Sequence, residues 1–587
     1  MRLPCKTPLA LPCSKRKAYV DGAGRVQSLV YREEVPLGAA WSAAYGSRLG
    51  PALQVMLDGH GPWRSVEQSF AIEPVPAVVT RFEWLDLRVE QTAFASAPEP
   101  SGFWVRVRVE NRSAAPQQVE LVSLLENAAG AAPDGERWTA GGQPLLRAEA
   151  ADGVETTIET PRILGPLGGP PRLRHRVVVP AQASRLFDLQ FLGVAADREA
   201  CLAETQKAWR QRLAAAAPLR LPDPALQHAY DACLRQLLSL IEPWGQHARV
   251  LKGLEHYYGA NPYDTFQASR ALDAAGLHTE ARELLCHQLE HLKADGIFEM
   301  WETGDLARAG ADQWIVQGLA ASALWNHYQA TSDEAWLRRI APALVRSAEA
   351  TLRIRRGHSG THGQGEVEIS GWLPPIGGDG GLGHGYHWSQ NTGPLAGVRI
   401  AAEAARRLRL PEADALAAGC AEFQKAIDRV RNRSVEAAGL GMVPAFPGAA
   451  GNDRTRPLWG VVMSVTAFGG ISADDTAAVA TLRFLQRHQQ GGLHLNLGYS
   501  PGVWPYLSAE VAQWHLRLGE REEAWRILRA IVQRASSTVC WYEEVEPNQG
   551  HGDPADAWAA AEVVYLSAQL LKPRGELGRC ASPRSGP

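Results

Sequence analysis

Residues 508–534, SAEVAQWHLRLGEREEAWRILRAIVQR, read as two helices and one tight joint. Apolar side chains recur at i, i+3, i+4 spacing on both sides of Leu518-Gly519-Glu520, so the chain doubles back within a few residues. Ala275-Gly276-Leu277-His278 reads the same way between 262–275 and 278–293. The periodicity predicts further helices over 225–242, 311–330, 333–356, 390–408, 411–431, 457–468, 474–488 and 555–571, making about twelve. Long connections follow other helices, notably 357–389, 432–456 and 535–554. Alternating tight and long connections suit six hairpins closed into a double-layered α/α toroid, with functional loops on one rim. An open solenoid would show a repeat of fixed period, and none is visible.

Upstream of Leu221-Pro222-Asp223-Pro224 the pattern changes. Phe103–Glu110 alternates at period two, Gln118–Leu124 does likewise, and His175–Val179 is a β-branched run stopped by Pro180. Many short strands between Pro, Gly, Ala and Ser predict a two-layer antiparallel sandwich. The expected organisation is a β-sandwich over 1–200, a helical linker over 201–221, the toroid over 222–571 and a Pro-, Gly- and Arg-rich tail over 572–587 that reads as disordered.

Composition narrows the function. With 60 Lys+Arg against 63 Asp+Glu in 587 residues there is no basic excess to hold nucleic acid. No window approaches a membrane helix, and the Pro-broken first residues hold no signal-peptide run, so a soluble, cytoplasmic protein is expected. Eight scattered cysteines give neither a zinc pattern nor a disulfide framework. The 19 Trp exceed the 13 Tyr and the 12 Phe; indoles suit stacking on sugar rings and packing large cores alike. Nothing calls for a cofactor, although Gly-rich loops bearing Asp leave a bound Ca²⁺ open.

Four loops carry the chemistry. Trp541-Tyr542-Glu543-Glu544-Val545-Glu546-Pro547, with Gly552-Asp553 and Trp558 beyond, gathers carboxylates and aromatics ahead of an apolar helix, the ingredients of sugar-bond cleavage. Gly371-Trp372-Leu373-Pro374-Pro375 leads to Asp379 among glycines, then Tyr386-His387-Trp388 and Asn391. Asp295–Glu302, with Trp301, runs on to Asp312. Tyr257-Tyr258 precedes Asp264, and both Asp264 and Asp312 sit where helix N-caps belong.

Three motif matches fall away. Gly378–Gly383 spells G-x-G-x-x-G without a preceding strand. His287–His291 fits H-x-x-E-H but has no third ligand, so surface histidines are expected. Gly498–Gly502 fits G-x-S-x-G, yet Pro501 and Trp504-Pro505 break the required helix, leaving a turn with an aromatic tip at Trp504. The sequons Asn111-Arg112-Ser113 and Asn432-Arg433-Ser434 matter only in a secreted chain.

Over most of residues 20–571 the chain resembles the six-hairpin glycosidase superfamily, which includes glucoamylase, α-L-rhamnosidase and the disaccharide phosphorylases. Asp295–Trp314 with Leu324–Tyr328 and Thr331–Leu337, then Gly371–Pro375, then Trp541–Glu543 with Gly552-Asp553 and Trp558–Glu562, carry the likeness. The resemblance implies a sandwich before an (α/α)6 barrel and an inverting glycoside hydrolase, with Asp379 as general acid and Glu543 as general base. Asp379 is shorter than the acid relatives usually carry, and the helix after it opens Ser389-Gln390-Asn391 rather than with an acidic pair. Glu544 competes with Glu543. Substrate contacts are expected from Tyr258, Asp264, Trp301, Asp312, Trp372, His387, Trp388, Asn391, Trp504, Trp541, Glu544 and Trp558. A polysaccharide lyase using Asn391, His387, Tyr386 and Tyr258, or a carbohydrate-binding relative without catalysis, stays open. The expected partner is a carbohydrate, and no sequence feature sets the oligomeric state.

Overall fold

A computed structural model describes residues 5–30, 48–57, 66–97, 102–126, 131–134, 137–140, 143–148, 155–159, 172–193, 197–253, 261–300, 313–358, 361–362, 367–378, 383–456, 458–497, 502–546 and 549–573. The first part is two antiparallel sheets. One places Thr7–Ala10, Lys17–Val20, Val26–Val30, Arg48–Leu57, Gln117–Glu126, Arg172–Val179 and Glu155–Glu159 side by side. The other runs Ala131–Asp134, Arg137–Ala140, Gln143–Ala148, Ser184–Phe191, Phe103–Asn111, Leu87–Ala95, Ala77–Trp84 and Val66–Ala71. Period-two alternation sends Phe103, Val105, Val107 and Val109 into the core, while Arg106 turns outward to Asp188 on the next strand. Phe94 and Trp104 break that rule because α1 (Arg198–Leu213) covers the outer face there through Cys201.

Helices α2 (Pro224–Leu240), α3 (Pro262–Ala274), α4 (His278–Glu290), α5 (Ile315–Thr331), α6 (Glu334–Arg356), α7 (Ser389–Leu408), α8 (Ala413–Ala438), α9 (Trp459–Thr466), α10 (Thr476–Arg487), α11 (Pro505–Arg517), α12 (Arg521–Arg534) and α13 (Ala557–Leu571) follow. They form the expected toroid. α3, α5, α7, α9, α11 and α13 touch in a closed ring. Burial explains who stands inside: all eight residues of α9 are buried, as is nearly every residue of α3, α11 and α13. α6, α8, α10 and α12 bury one stripe only, as outer helices should. The short joints, such as 275–277 and 518–520, lie at the C-terminal ends of the inner helices, and the long connections all feed their N-termini. The N-terminal rim is therefore the mouth.

The sandwich docks on α2. Lys17, almost wholly buried, donates to the carbonyls of Ser14, Ser239 and Ile241, which satisfies all three ammonium protons. Among the described residues no helix is long and apolar enough to cross a membrane, and seven cysteines are free.

Three expectations change. Pro505 opens α11 rather than breaking it, because the first helical position needs no N–H and its fixed φ suits the helix. α8 runs through 432–438 to a left-handed Gly439, so the Asn432 sequon is helical; Asn111 is buried with its amide on the carbonyls of Ala115 and Val179. His287 is buried rather than on the surface, its ring edge-on to His291, and desolvation pushes its pKa down to about 3.

The inner ring depends on close backbone approach between α5 and α7. A Cβ on Gly318 would overlap the backbone of Gly393, which cannot move aside as a side-chain tip can. Gly318→Ala is expected to lower stability by about 1–3 kcal/mol or more through overpacking. A thermal melt indistinguishable from wild type would contradict that packing.

Candidate active site

At the mouth, Tyr542–Val545 pairs with Gly550–Pro554, and the register shifts between Tyr542 and Glu544. That irregularity falls on Glu543, and bulges beside active sites re-aim a side chain in this way. Gly552 lies opposite at φ +74°, and a Cβ there would sit 2.5 Å from Glu543 Oε2. A larger residue is excluded on both counts. Glu543 Oε1 receives Lys252 Nζ at 2.5 Å; the lysine side chain is 4% exposed and the carboxylate 13%, enough for water to reach it. The Lys252 ammonium also rests 4.2 Å from the Trp558 ring centre. Its backbone carbonyl accepts from Ala557 N at 2.7 Å, which ties it to the start of α13.

The neighbouring acids are committed elsewhere. Strand alternation turns Glu544 inward, where Oε1 accepts from Gly502 N at 2.9 Å. Glu546 accepts from Gln549 and meets His551 at 2.9 Å.

From Trp558 the site spreads across the inner helices. The indole N–H donates to Asp264 Oδ1 at 2.6 Å. Asp264 is in the first turn of α3 but is not its cap: Asn261 accepts from Tyr263 N and Asp264 N, leaving the Asp264 carboxylate for Trp558. Tyr263 stacks between Trp459 and Trp558, with ring centres 5.8 and 5.6 Å away, and Tyr506 stands edge-on to Trp558 at 4.9 Å. Trp504 adjoins Tyr506 at 5.3 Å. Glu543, Asp264, Trp558 and Trp504 thus share one rim, together with Lys252, Tyr263, Trp459 and Tyr506.

Among the described residues, the other predicted ones are packed into the protein, as Asp264, Tyr263, Trp504, Tyr506 and Trp558 of the rim also are, and their polar groups are spent on the chain itself. Trp372 and Trp388 are fully buried, edge-on at 5.4 Å, with N–H groups on the carbonyls of Ala426 and Pro444. Asn391 accepts from Leu373 N and donates to the His387 carbonyl, so it holds the preceding loop. His387 is buried beside Phe446, and Trp541 donates from the core to the Ile531 carbonyl. Tyr386 hydroxyl meets His358 at 2.6 Å. Tyr258, Trp301, Asp312 and Asp379 lie outside the described residues, as does most of Gly498–Gly502. Ile376–Gly378 and Gly383–Gly385, the chain on either side of Asp379, form a hairpin.

One layer below the mouth lies a polar cluster that sequence reasoning missed. Arg270 of α3 clasps Glu562 of α13 and Gln267, Gln513 of α11 donates to Glu562 at 2.6 Å, and Gln267 donates to Glu510 at 3.4 Å. Burial, then the Glu562 charge, raises Glu510 to about 8; burial also raises Glu562. A signal was available on two of the helices: Glu510 and Glu562 each stand sixth in their helix, within an otherwise uncharged apolar stretch.

Asp273, His278 and His327 form the one group among the described residues with metal-type ligand atoms this close, within 4.8 Å. Asp273 Oδ1 lies 2.8 Å from Nδ1 of each histidine, and Arg282 Nε donates to His327 Nε2. That donor assigns the His327 proton to Nδ1, where a metal would need a lone pair, so the contacts fit a hydrogen-bonded triad. The hydrogen bond that His278 donates to the Asp273 carboxylate raises its pKa above the ordinary value of 6.5. A raised histidine stabilises the fold below about 6.5 and ceases to do so as pH climbs through its folded pKa. His278→Gln should therefore melt below wild type at pH 6 and level with it at pH 9. A constant gap across that range would contradict the assignment.

No protein-family model and no curated protein matches the sequence. Among solved structures, the fold is similar to a bacterial glucoamylase complexed with acarbose, with a TM-score of 0.61 at 12% identity, over 96% of this chain and 93% of that one. A rhamnosidase from Klebsiella oxytoca with rhamnose bound aligns over 96% of each chain at 14% identity and a TM-score of 0.46. The first of these likenesses shows a shared architecture.

Proposed function

We propose that this chain is a glycoside hydrolase working by inversion, with Glu543 as general base and Asp379 as general acid. The observation that carries the reading is Glu543 itself: a carboxylate re-aimed by a bulge at the mouth and fixed through one oxygen by buried Lys252, which rests on the Trp558 indole that in turn donates to Asp264. In this role Glu543 takes a proton from water as the water attacks the anomeric carbon. Asp379 delivers its proton to the departing oxygen on the opposite face. Inversion then requires about 6.5–9.5 Å between the two carboxyls. Asp264 and the rim aromatics would receive the sugar's hydroxyls and apolar face. The glucoamylase-like architecture is compatible with this. The lyase alternative is disfavoured because Asn391, its charge-neutralising amide, is spent on backbone.

A panel of α- and β-linked oligosaccharides, followed by NMR of the first-formed anomer, tests the proposal. Reducing ends of inverted configuration are expected. Retention, unsaturated products or no cleavage would overturn it. Asp379→Asn should lose far more activity on poor leaving groups than on activated aryl glycosides, because only the former need the acid. Equal losses would remove Asp379 from that role.

A further inference from the structure

The chain entering the Glu543 hairpin and the chain leaving it both turn through left-handed backbone at residues that are not glycine. Val539 stands at φ +59° and Ala555 at φ +58°. That conformation is uncommon for any side chain and an outlier for a β-branched one, so it persists only where the surrounding structure imposes it. The two positions bracket the paired strands Tyr542–Val545 and Gly550–Pro554, and both are buried. Between them the hairpin is closed at its foot by Asp556 N, which donates to the Trp541 carbonyl at 3.1 Å.

What meets those two turns comes from the other end of the chain. Thr7, in the first strand of the sandwich and wholly buried, donates its hydroxyl to Thr538 Oγ1 at 2.6 Å, across 531 residues. Thr538 Oγ1 also lies 2.9 Å from Ser536 Oγ, which accepts from Cys540 N at 3.0 Å. The Thr7 hydroxyl therefore joins a loop folded around Val539. Two residues before Thr7, the buried Cys5 thiol faces the backbone N–H of Ala555. One short stretch of the sandwich thus reaches both feet of the hairpin. Attachment of the sandwich to the barrel is already supplied elsewhere, by Lys17 on the carbonyls of Ser239 and Ile241 and by Cys13 N on that of Leu238, all at the end of α2.

We propose that Cys5 and Thr7 are positioning residues for the general base: the first strand of the sandwich fixes the hairpin that aims Glu543. This rests on the reading of Glu543 given above. Both side chains are too deeply buried to meet a sugar, so their effect passes through the hairpin. The sandwich then completes the active site from behind rather than by lining it.

The test uses the full chain and a substrate that the wild type cleaves. Thr7→Val keeps the shape and removes the hydroxyl, and Thr538 retains Ser536 as partner, so no buried hydroxyl is orphaned. Hydrogen exchange over 542–554, read by mass spectrometry well below Tm, should quicken several-fold while exchange in α2 stays as in the wild type. In the same variant kcat should fall about 10–10²-fold with KM nearly unchanged, because a displaced base is felt in the transition state and not in substrate binding. Thr7→Ser returns the hydroxyl and should return most of both. If Thr7→Val does not fold, Cys5→Ala, which acts on the Ala555 turn, decides by the same two readings. Unchanged exchange in the hairpin, or faster exchange with wild-type kcat, would overturn the proposal. A wild type that cleaves nothing would overturn the base assignment and this proposal with it, and it is told apart from the other failures because no variant is needed to see it.

Discussion

Glu543→Gln is expected to lower kcat by about 10²–10⁴-fold, the usual worth of a positioned general base. The amide keeps the shape of the carboxylate and its acceptor toward Lys252, but cannot take a proton from water. A second effect follows from the ion pair. Lys252 is 4% exposed, and removing the negative partner leaves a buried ammonium facing a neutral amide and an indole. Breaking a buried pair from one side costs about 3–5 kcal/mol, and the retained hydrogen bond places this variant toward the lower figure. The two effects separate in Lys252→Met/Glu543→Gln, where neither charge is buried. The double variant should melt near wild type and remain inactive. Recovery of activity together with stability would show that Glu543 serves the fold and not the reaction.

The toroid is legible in the sequence because hairpin joints such as Leu518-Gly519-Glu520 are local. Gly519, at φ +80°, ends one helix and releases the next within a few residues. The elements that fail to read locally do so for stated reasons. Pro505 looks like a breaker unless its place at the first helical position is known. Buried His287 has the spacing of a surface pair, and only tertiary packing covers it. Lys252 meets Glu543 across 291 residues, and no periodicity connects them. The rim that the structure assembles joins the predicted Glu543, Asp264 and Trp558 to Lys252, Tyr263 and Tyr506. The fully buried Trp372 and Trp388 show the other side of that difficulty. An indole in a glycine-rich loop reads equally as a sugar platform or as core, and hydrogen bonds to Ala426 and Pro444 carbonyls are invisible in the sequence.

Arg270→Met should be among the most destabilising single changes in the toroid. The arginine is 5% exposed and faces Glu562, 1% exposed, with Glu510 in the same layer. Removing the only cation among the charged groups named in this cluster leaves two carboxyls in a dry core, a loss of about 3–5 kcal/mol at neutral pH. The pH dependence has a definite sign. Glu510 already binds its proton up to about 8 in the folded state, against 4.5 ordinarily, so folding takes up a proton between those values. Stability therefore falls as pH rises across that window, and losing Arg270 pushes both carboxyls further up and steepens the fall. Arg270→Met should lie closest to wild type near pH 5 and farthest near pH 8. Glu510→Gln, which mimics the protonated acid, should flatten the wild-type slope. In Arg270→Met/Glu562→Leu the pair is replaced by apolar volume, and most of the loss should return. Chemical denaturation across pH reads all three. A deficit in Arg270→Met that stays constant from pH 5 to 8 would mean that packing between Phe266 and Tyr565, rather than charge, is what the arginine supplies.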